Sequence, residues 1–556
     1  ARANSKDKEL RDLIAELIYH LGVEQPHVVL YSLMVPLKND NEANKEGKNR
    51  QLVASNIFNR LGNVFPKIVD QMKTLANELI RSAVTYWEMW NSDLEEASHA
   101  FVTRNNPDEM IDILLPLHER INKSPQSFYE VMFMRSFGAK LEEAESYLRS
   151  YEKTKSKEFL YQAWSNYIVV FHQMKTYINE IEKIPLEDAS PILANMKSAD
   201  IVVPGTFVYN EPLIHLTEVS PIMSVMKSKQ RPRRMAMKGS DGVTYTFLLK
   251  AHEDTRLDER VMQFFTLINS FTDQSQMPMK DKLNITTYKV IPLTGQVGLI
   301  GWVPYCNTLY EIIRDYRRKM AIPLELEYLT AQKLLPNFDN LPLSKEKEKA
   351  FINGRNAPLP PSVKLLPSEK EDMPSCDGND LKYLLFAMAE DSNHWINRRV
   401  AYSVSLSMTS MAGYILGLGD RHLSNIMIKK RSAKLVHIDF GDCFEVAQHR
   451  DKFPEKVPFR LSRILQNALE LSSPKGTFLT CCQNIMAMFR ENRHQIIGLL
   501  EVFIYDPLLQ GLEQPSNVSG PASNTTGERS KADGGEDDLE FDNGEGGEAI
   551  LDESSS

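Results

Sequence analysis

The chain has 556 residues, 42% of them hydrophobic and 25% charged, the balance of an ordinary water-soluble folded protein. Its net charge of −9 sits in one place: residues 516–556 hold eleven acidic and two basic side chains, so the rest of the chain is neutral and lacks the basic surplus of a nucleic-acid binder. No run of about 18 or more apolar residues argues for a transmembrane helix, and five cysteines without a C-x-x-C pair argue against a disulfide framework or a zinc module.

Residues 1–75 are predicted to be helices, with Leu10, Leu13, Leu17 and Leu21 at helical spacing and a polar break from Lys38 to Arg50. The first residues show neither an initiator Met nor a signal core and read as a cut end. Residues 76–184 read as four helices. The first runs from Leu79 to Phe101; Asn106-Pro107 and Ser124-Pro125 pair a capping side chain with a proline at the first helical position; Ser156 caps the last, which runs to about Ile184. Their short connections favour antiparallel neighbours and hence a bundle. Val243–Leu249, Thr287–Pro292 and Val297–Val303 look like strands, and a helical pattern returns after about residue 308 and lasts to about 512. Residues 354–379, with five prolines, read as a solvent loop, and 513–556 as disordered.

The chemistry concentrates in Gly417-Leu-Gly-Asp420-Arg421-His422-Leu-Ser-Asn425, followed by His437-Ile-Asp439-Phe440-Gly441. Moving a γ-phosphoryl group needs positioning and charge neutralisation more than covalent chemistry. Asp420 is suited to orient an acceptor hydroxyl and take its proton, while Asn425 and Asp439 are suited to hold metal ions against phosphates. The Asp-to-Asn interval equals that of the kinase signature H-R-D-L-x-x-x-N, although here the His follows Asp-Arg. Lys250 closes the alternating segment Tyr245–Lys250, where a kinase lysine reaches nucleotide phosphates. Glu253, Asp254 and Asp258 follow on a predicted helix as possible partners, and the sequence does not choose among them. No G-x-G-x-x-G precedes Lys250; the corresponding stretch contains Ser228-Lys-Gln-Arg-Pro-Arg233.

That inverted Asp-Arg-His order resembles the phosphatidylinositol 3-kinase-related protein kinases. The motifs Trp87-Glu-Met-Trp90, Leu94-Glu-Glu-Ala-Ser98 and Lys452–Leu461 resemble the target-of-rapamycin branch. The resemblance runs from about residue 8 to 512. It implies an α+β chain: the end of a FAT-type helical repeat (1–75), a rapamycin-binding-type four-helix bundle (76–184), and a two-lobed kinase with a small α/β N-lobe (185–303) and a mainly helical C-lobe (304–512). It implies ATP-dependent phosphorylation of protein Ser or Thr with magnesium, or manganese in its place. His422 would stabilise charge at the transferring group and Ser228 would approach the phosphates. Gly301-Trp302-Val303 would form the adenine-binding hinge, with Tyr288, Ile300 and Met427 lining the same pocket. Phe440, Gly441, Phe453 and Pro454 would belong to the activation segment.

The family's drug-binding surface falls on Leu94, Ser98, Val102, Tyr161, Trp164, Ile168 and Phe171. Val102 stands where a Phe is usual, Ile168 for Tyr and Tyr161 for Thr, so an immunophilin–rapamycin pair is expected to bind weakly or not at all. Without the resemblance, Trp164, Ile168 and Phe171, spaced i, i+4, i+7, would read as bundle core. The family's short C-terminal brace is not found. Implied partners are protein substrates, a WD-repeat β-propeller on residues 311–355 and large scaffold subunits. The implied setting is cytoplasmic, at lysosomal or vacuolar surfaces, in nutrient and growth signalling. The competing readings are a phosphoinositide kinase, disfavoured by the mixed charges of residues 442–460, and a catalytically silent scaffold, disfavoured because Lys250, Asp420, Asn425 and Asp439 are all present.

Overall fold

The computed structural model describes residues 8–38, 45–122, 124–228, 230–276, 282–324, 378–450, 454–455, 457–469 and 474–504. Phe453, the acidic tail, the solvent loop up to residue 377 and most of the 311–355 segment lie outside these.

Four helices lead: α1 (Lys8–Glu24), α2 (Pro26–Lys38), α3 (Lys45–Val64) and α4 (Pro66–Ala83). The Leu10, Leu13, Leu17, Leu21 stripe of α1 is its exposed face; Ala15, Ile18 and Tyr19 face the core instead. The bundle follows as α5 (Tyr86–Ser98), α6 (Pro107–Ile121), α7 (Phe128–Thr154) and α8 (Lys157–Glu180). Its first helix starts at Tyr86 and not at Leu79, because Thr85 and Glu88 close a reciprocal capping box there and Leu79 packs with the leading helices. A π-helical turn at His99–Thr103 ends it. Asn106 caps α6 as expected, its side chain accepting from the Glu109 amide at 3.3 Å. The expected start of α7 at Ser124-Pro125 moves to Ser127, which accepts from the Glu130 amide at 3.3 Å while Glu130 accepts from the Gln126 amide at 2.6 Å. Ser156 precedes α8 without a side-chain cap bond. That helix stops at Glu180 and not Ile184, because Lys183–Pro185 pairs with a strand. Trp87, Trp90, Phe133, Phe137 and Tyr167 fill the bundle core. Trp87 meets Phe133 edge-to-face at 5.3 Å, an arrangement worth about 0.5–1.5 kcal/mol beyond burial.

The next lobe is an antiparallel sheet of β1 (Lys183–Pro185), β2 (Leu216–Val219), β3 (Ile222–Val225), β4 (Arg233–Gly239), β5 (Thr244–Ala251), β6 (Val290–Pro292) and β7 (Val297–Gly301), in the order β1-β3-β4-β5-β7-β6 with β2 also on β4. Short helices α9 (Leu186–Ala189) and α10 (Pro191–Ala194) follow β1, and α11 (Arg256–Gln274) follows β5. Strand parity sorts the residues of β5. Phe247, Leu249 and Ala251 are buried in the same core as α2–α4, so Lys250 faces the other way. The same parity puts Leu299 of β7 in that core and Ile300 against the core of the larger lobe.

That larger lobe holds a three-stranded sheet, β8 (Cys306–Thr308), β9 (Ile426–Lys429) and β10 (Leu435–His437), ordered β10-β9-β8. Its helices are α12 (Leu309–Lys319), α13 (Asp380–Ala387), α14 (Ser392–Leu416), α15 (Arg463–Asn467), α16 (Thr477–Glu491) and α17 (Arg493–Ile504). Residues 401–413 of α14 are buried on every side, and its hydroxyls satisfy themselves locally: Ser407 donates to the Ser403 carbonyl at 2.8 Å and Thr409 to that of Ser405 at 2.9 Å. Among the described residues no helix is long and apolar enough to cross a membrane.

Candidate active site

The catalytic loop hangs from the C-terminus of α14. Gly417, at φ +56°, ends that helix in the left-handed conformation glycine adopts without cost, and the Leu418 amide returns to the Gly413 carbonyl at 2.9 Å. A side chain at Gly419 would meet the Ala447 methyl at 2.3 Å, so the loop passes against the following segment only because that position is glycine. Asp420 and Asp439 both hold positive φ, +56° and +59°, a strained state for non-glycine residues that the surrounding bonds must impose.

Buried Arg421 imposes much of it. Its guanidinium donates to the carbonyls of Gly419 and Ile438, each at 2.8 Å, and to that of Asp439. One side chain thus ties the Asp420 loop to the Asp439 segment. Asn425 adds a second tie: its Nδ2 donates to the Asp420 carbonyl at 3.0 Å, and its own carbonyl accepts from the Ile438 amide at 3.1 Å. Nδ2 also lies 3.3 Å from the Asp420 carboxylate, which leaves the side-chain oxygen as the atom of Asn425 that could face a cation. His422 Nδ1 accepts from the Ser424 amide at 3.2 Å, which leaves Nε2 as the ring's donor, 3.9 Å from the Asp420 carboxylate. Arg450 spans the same carboxylate at 3.4 Å and that of Asp442.

Across the cleft, Lys250 Nζ pairs with Glu253. The structure therefore chooses Glu253 where the sequence left the choice open, and places Glu253 and Asp254 before α11, not on it. Burial opposes the Lys250 charge, yet Asp439, Glu253 and Asp258 outweigh it and hold its pKa above the ordinary value. Asp258, on α11, instead accepts from the Phe440 amide at 3.3 Å. Burial pushes its carboxyl up to about 6, against the pull of Lys250 and with Asp439 adding to the rise. Phe440 is fully buried, edge-on to Phe265 of α11 at 5.6 Å. His437, buried under the same segment, is pushed down to about 3 by burial, with Arg421 adding, and is neutral at physiological pH.

The hinge runs on from β7. The Trp302 amide donates to the Thr246 carbonyl at 2.9 Å, and the Arg234 guanidinium lies 4.9 Å over its ring. Val303 follows, half-buried; Ile300 and Tyr288 pack against the core of the larger lobe, and Met427 of β9 is half-buried. The structure thus gathers Lys250, Glu253, Asp258, Asp420, His422, Asn425, Asp439 and Phe440 around one cleft. Ser228 sits apart in the loop before β4, and Pro454 is exposed. Arg421 is the residue sequence reasoning passed over. It stands inside the motif, but an arginine there carries no signal that it turns inward.

Among the described residues no three His, Cys, Asp or Glu side chains are grouped to hold a metal. Asp439 and Asn425 offer hard oxygen ligands, which suit a divalent cation whose remaining ligands are phosphate and water oxygens.

The seven drug-site positions divide. Leu94 is buried in the bundle core; Val102, Tyr161 and Ile168 are exposed, and Ser98, Trp164 and Phe171 are half-buried. The α8 core face is Ala163, Tyr167, Val170 and Met174, so the i, i+4, i+7 stripe lies beside it, with Ile168 exposed and Trp164 and Phe171 packed against the edge of the core.

Residues 244–511 match the family described as phosphatidylinositol 3- and 4-kinase, and residues 78–176 match the FKBP12-rapamycin binding domain. The chain is 38% identical over 509 residues to the serine/threonine-protein kinase TOR of Oryza sativa subsp. japonica, covering 92% of this chain and 20% of that protein. It is 38% identical over 510 residues to the serine/threonine-protein kinase tor1 of Schizosaccharomyces pombe, covering 92% and 21%. The chain therefore spans about a fifth of the length of these relatives. Among solved structures, one described as the FAT and kinase domain of CtTel1 superposes with a TM-score of 0.54 at 20% identity, covering 92% of this chain and 30% of that one, a likeness of fold.

Proposed function

The chain belongs to the phosphatidylinositol 3-kinase-related kinases of the target-of-rapamycin type, and from that membership we propose that it transfers the γ-phosphoryl group of ATP to Ser or Thr of protein substrates. The observation that carries this reading is the cleft itself. Lys250, held charged by Asp439 and Glu253, faces a catalytic loop in which Asp420 and Asn425 are fixed to each other and to the Asp439 segment.

In this reading the adenine lies against Trp302, Ile300, Tyr288 and Met427, with the backbone of Val303 as its hydrogen-bonding partner. Lys250 neutralises phosphate charge and Ser228 approaches the phosphates. Asp439 and Asn425 would hold magnesium, which would supply charge neutralisation at the phosphate oxygens. The Ser or Thr oxygen forms the new bond to phosphorus, the bond to the β–γ bridging oxygen breaks, and ADP leaves. The hydroxyl proton passes to Asp420, whose carboxylate is steadied by Asn425. The Nε2–H of His422 stabilises charge building on the transferring group.

The resemblance further supports docking of a β-propeller subunit on the segment beginning near residue 311, of which α12 is the described part, assembly with large scaffold subunits, and work at the cytoplasmic face of endomembranes in growth signalling. The test is labelled-ATP transfer by the full-length kinase with its partner subunits. Protein label that an Asp439→Ala substitution abolishes supports the reading; transfer that survives the substitution overturns it.

A further inference from the structure

A single carboxylate joins the bundle to the loop ahead of β4. Glu88 stands on the first turn of α5, 85% buried, and accepts from the Thr85 amide at 3.0 Å and hydroxyl at 2.9 Å. The same carboxylate accepts from Arg231 Nε at 3.2 Å and from the fully buried Arg233 of β4. Arg231 also reaches the last helix of the bundle, donating from Nη2 to the Ile181 carbonyl, just past α8, at 2.8 Å. Its own carbonyl accepts from Arg233, and its backbone is held at φ +48°, so this position is fixed and not incidental.

Arg231 also closes the loop that carries Ser228. Its amide donates to the Ser228 carbonyl at 3.0 Å, and the Met226 amide donates to the Pro232 carbonyl at 3.0 Å. The loop is therefore closed on itself at one side and pinned on the other to the first and last helices of the bundle. A carboxylate needed only for capping would be satisfied by Thr85 and water. This one is withdrawn from water to meet two arginines some 143 and 145 residues away in the chain, and such charge-assisted bonds are roughly twice as strong as neutral ones.

We infer that the helical bundle sets the position of the nucleotide-phosphate loop through Glu88 and Arg231, which makes both of them positioning residues for ATP. The inference rests on the reading that the Ser228 loop holds the phosphates. It assigns the bundle a second task besides presenting a docking surface: a tilt of α5 relative to α8 moves the loop and changes affinity for nucleotide.

Arg231 is the residue to change, because removing Glu88 would strand Arg233 as a buried unpaired charge. In the full-length kinase, Arg231→Ala raises KM for ATP by about tenfold, the scale of one charge-assisted bond, with kcat at saturating ATP nearly retained. Arg231→Lys, which keeps one bond to Glu88, recovers part of the loss and decides the matter if the Ala variant does not fold. Leu114→Ala, a bundle-core cavity remote from the clamp, lowers Tm and leaves KM unchanged. A wild-type KM in the folded Ala and Lys variants overturns the inference while leaving the kinase reading intact; a parent protein that transfers no phosphate overturns both.

Discussion

At the scale of single residues, Asp258 is a side chain of the cleft whose charge the fold resists. Its carboxyl is raised to about 6 from an ordinary 3.8, with burial the main cause. Between those values the native state binds more protons than the unfolded state, so stability falls as pH rises from about 4 to about 6, and the cost is fully present above that. Asp258→Asn removes the charge and keeps an acceptor for the Phe440 amide. At pH 7.5 it stabilises the protein by up to about 3 kcal/mol, a gain that fades as pH falls from about 6 to about 4. Thermal midpoints of the two proteins across that range check this; equal differences at every pH contradict it. Arg421 makes the opposite point. Lysine cannot span three carbonyls, so Arg421→Lys frees Asp420 from the Asp439 segment and lowers kcat on the order of a hundredfold, the usual cost of a slightly misplaced catalytic group, with a smaller change in KM for ATP. Steady-state kinetics read both quantities. Spacing along the chain was enough to group Asp420, Asn425 and Asp439. It was not enough to choose Glu253 for Lys250, because that choice depends on where the turn between β5 and α11 points.

At the scale of elements, capping chemistry was legible and direction was not. Asn106-Pro107 marked its helix correctly, whereas Ser124-Pro125 lost to Ser127, whose partner Glu130 closes back on the Gln126 amide. Helix α1 carries apolar residues on more than one face, so periodicity identified a helix without telling which stripe is inward. Residues 401–413 of helix α14 are buried all round, so that stretch has no exposed face to mark it. On the bundle, Phe101 and Trp164 meet at 5.5 Å and leave Val102, Tyr161 and Ile168 exposed beside them. Aliphatic Val102 and Ile168 offer less flat aromatic area than the Phe and Tyr usual there. An immunophilin–rapamycin titration therefore gives weak or no binding, and a Val102→Phe, Ile168→Tyr double variant binds more tightly. Tight binding by the unmodified protein would contradict this.

At the scale of the whole molecule, the passage from helices to a sheet-containing lobe and back to helices followed from changes in hydrophobic period, because each period builds a different kind of layer, whereas the leading helices and the bundle share one period and are not separated by it. What the pattern could not supply was the connection between layers. The β5 sheet carries two cores, one on each face, and Lys250 reaches the cleft only because its parity opposes that of Leu249. The Glu88 clamp is likewise invisible in sequence, since its partners lie beyond any local window.

The central claim is that this cleft moves phosphate from ATP to protein. The most direct measurement offers labelled ATP and magnesium to the full-length kinase with a Ser/Thr protein and phosphoinositide vesicles side by side, with Asp439→Ala as the control. Label on protein Ser or Thr, absent from the vesicles and lost in the variant, is the predicted result. Label on lipid alone, or on neither acceptor, would contradict it.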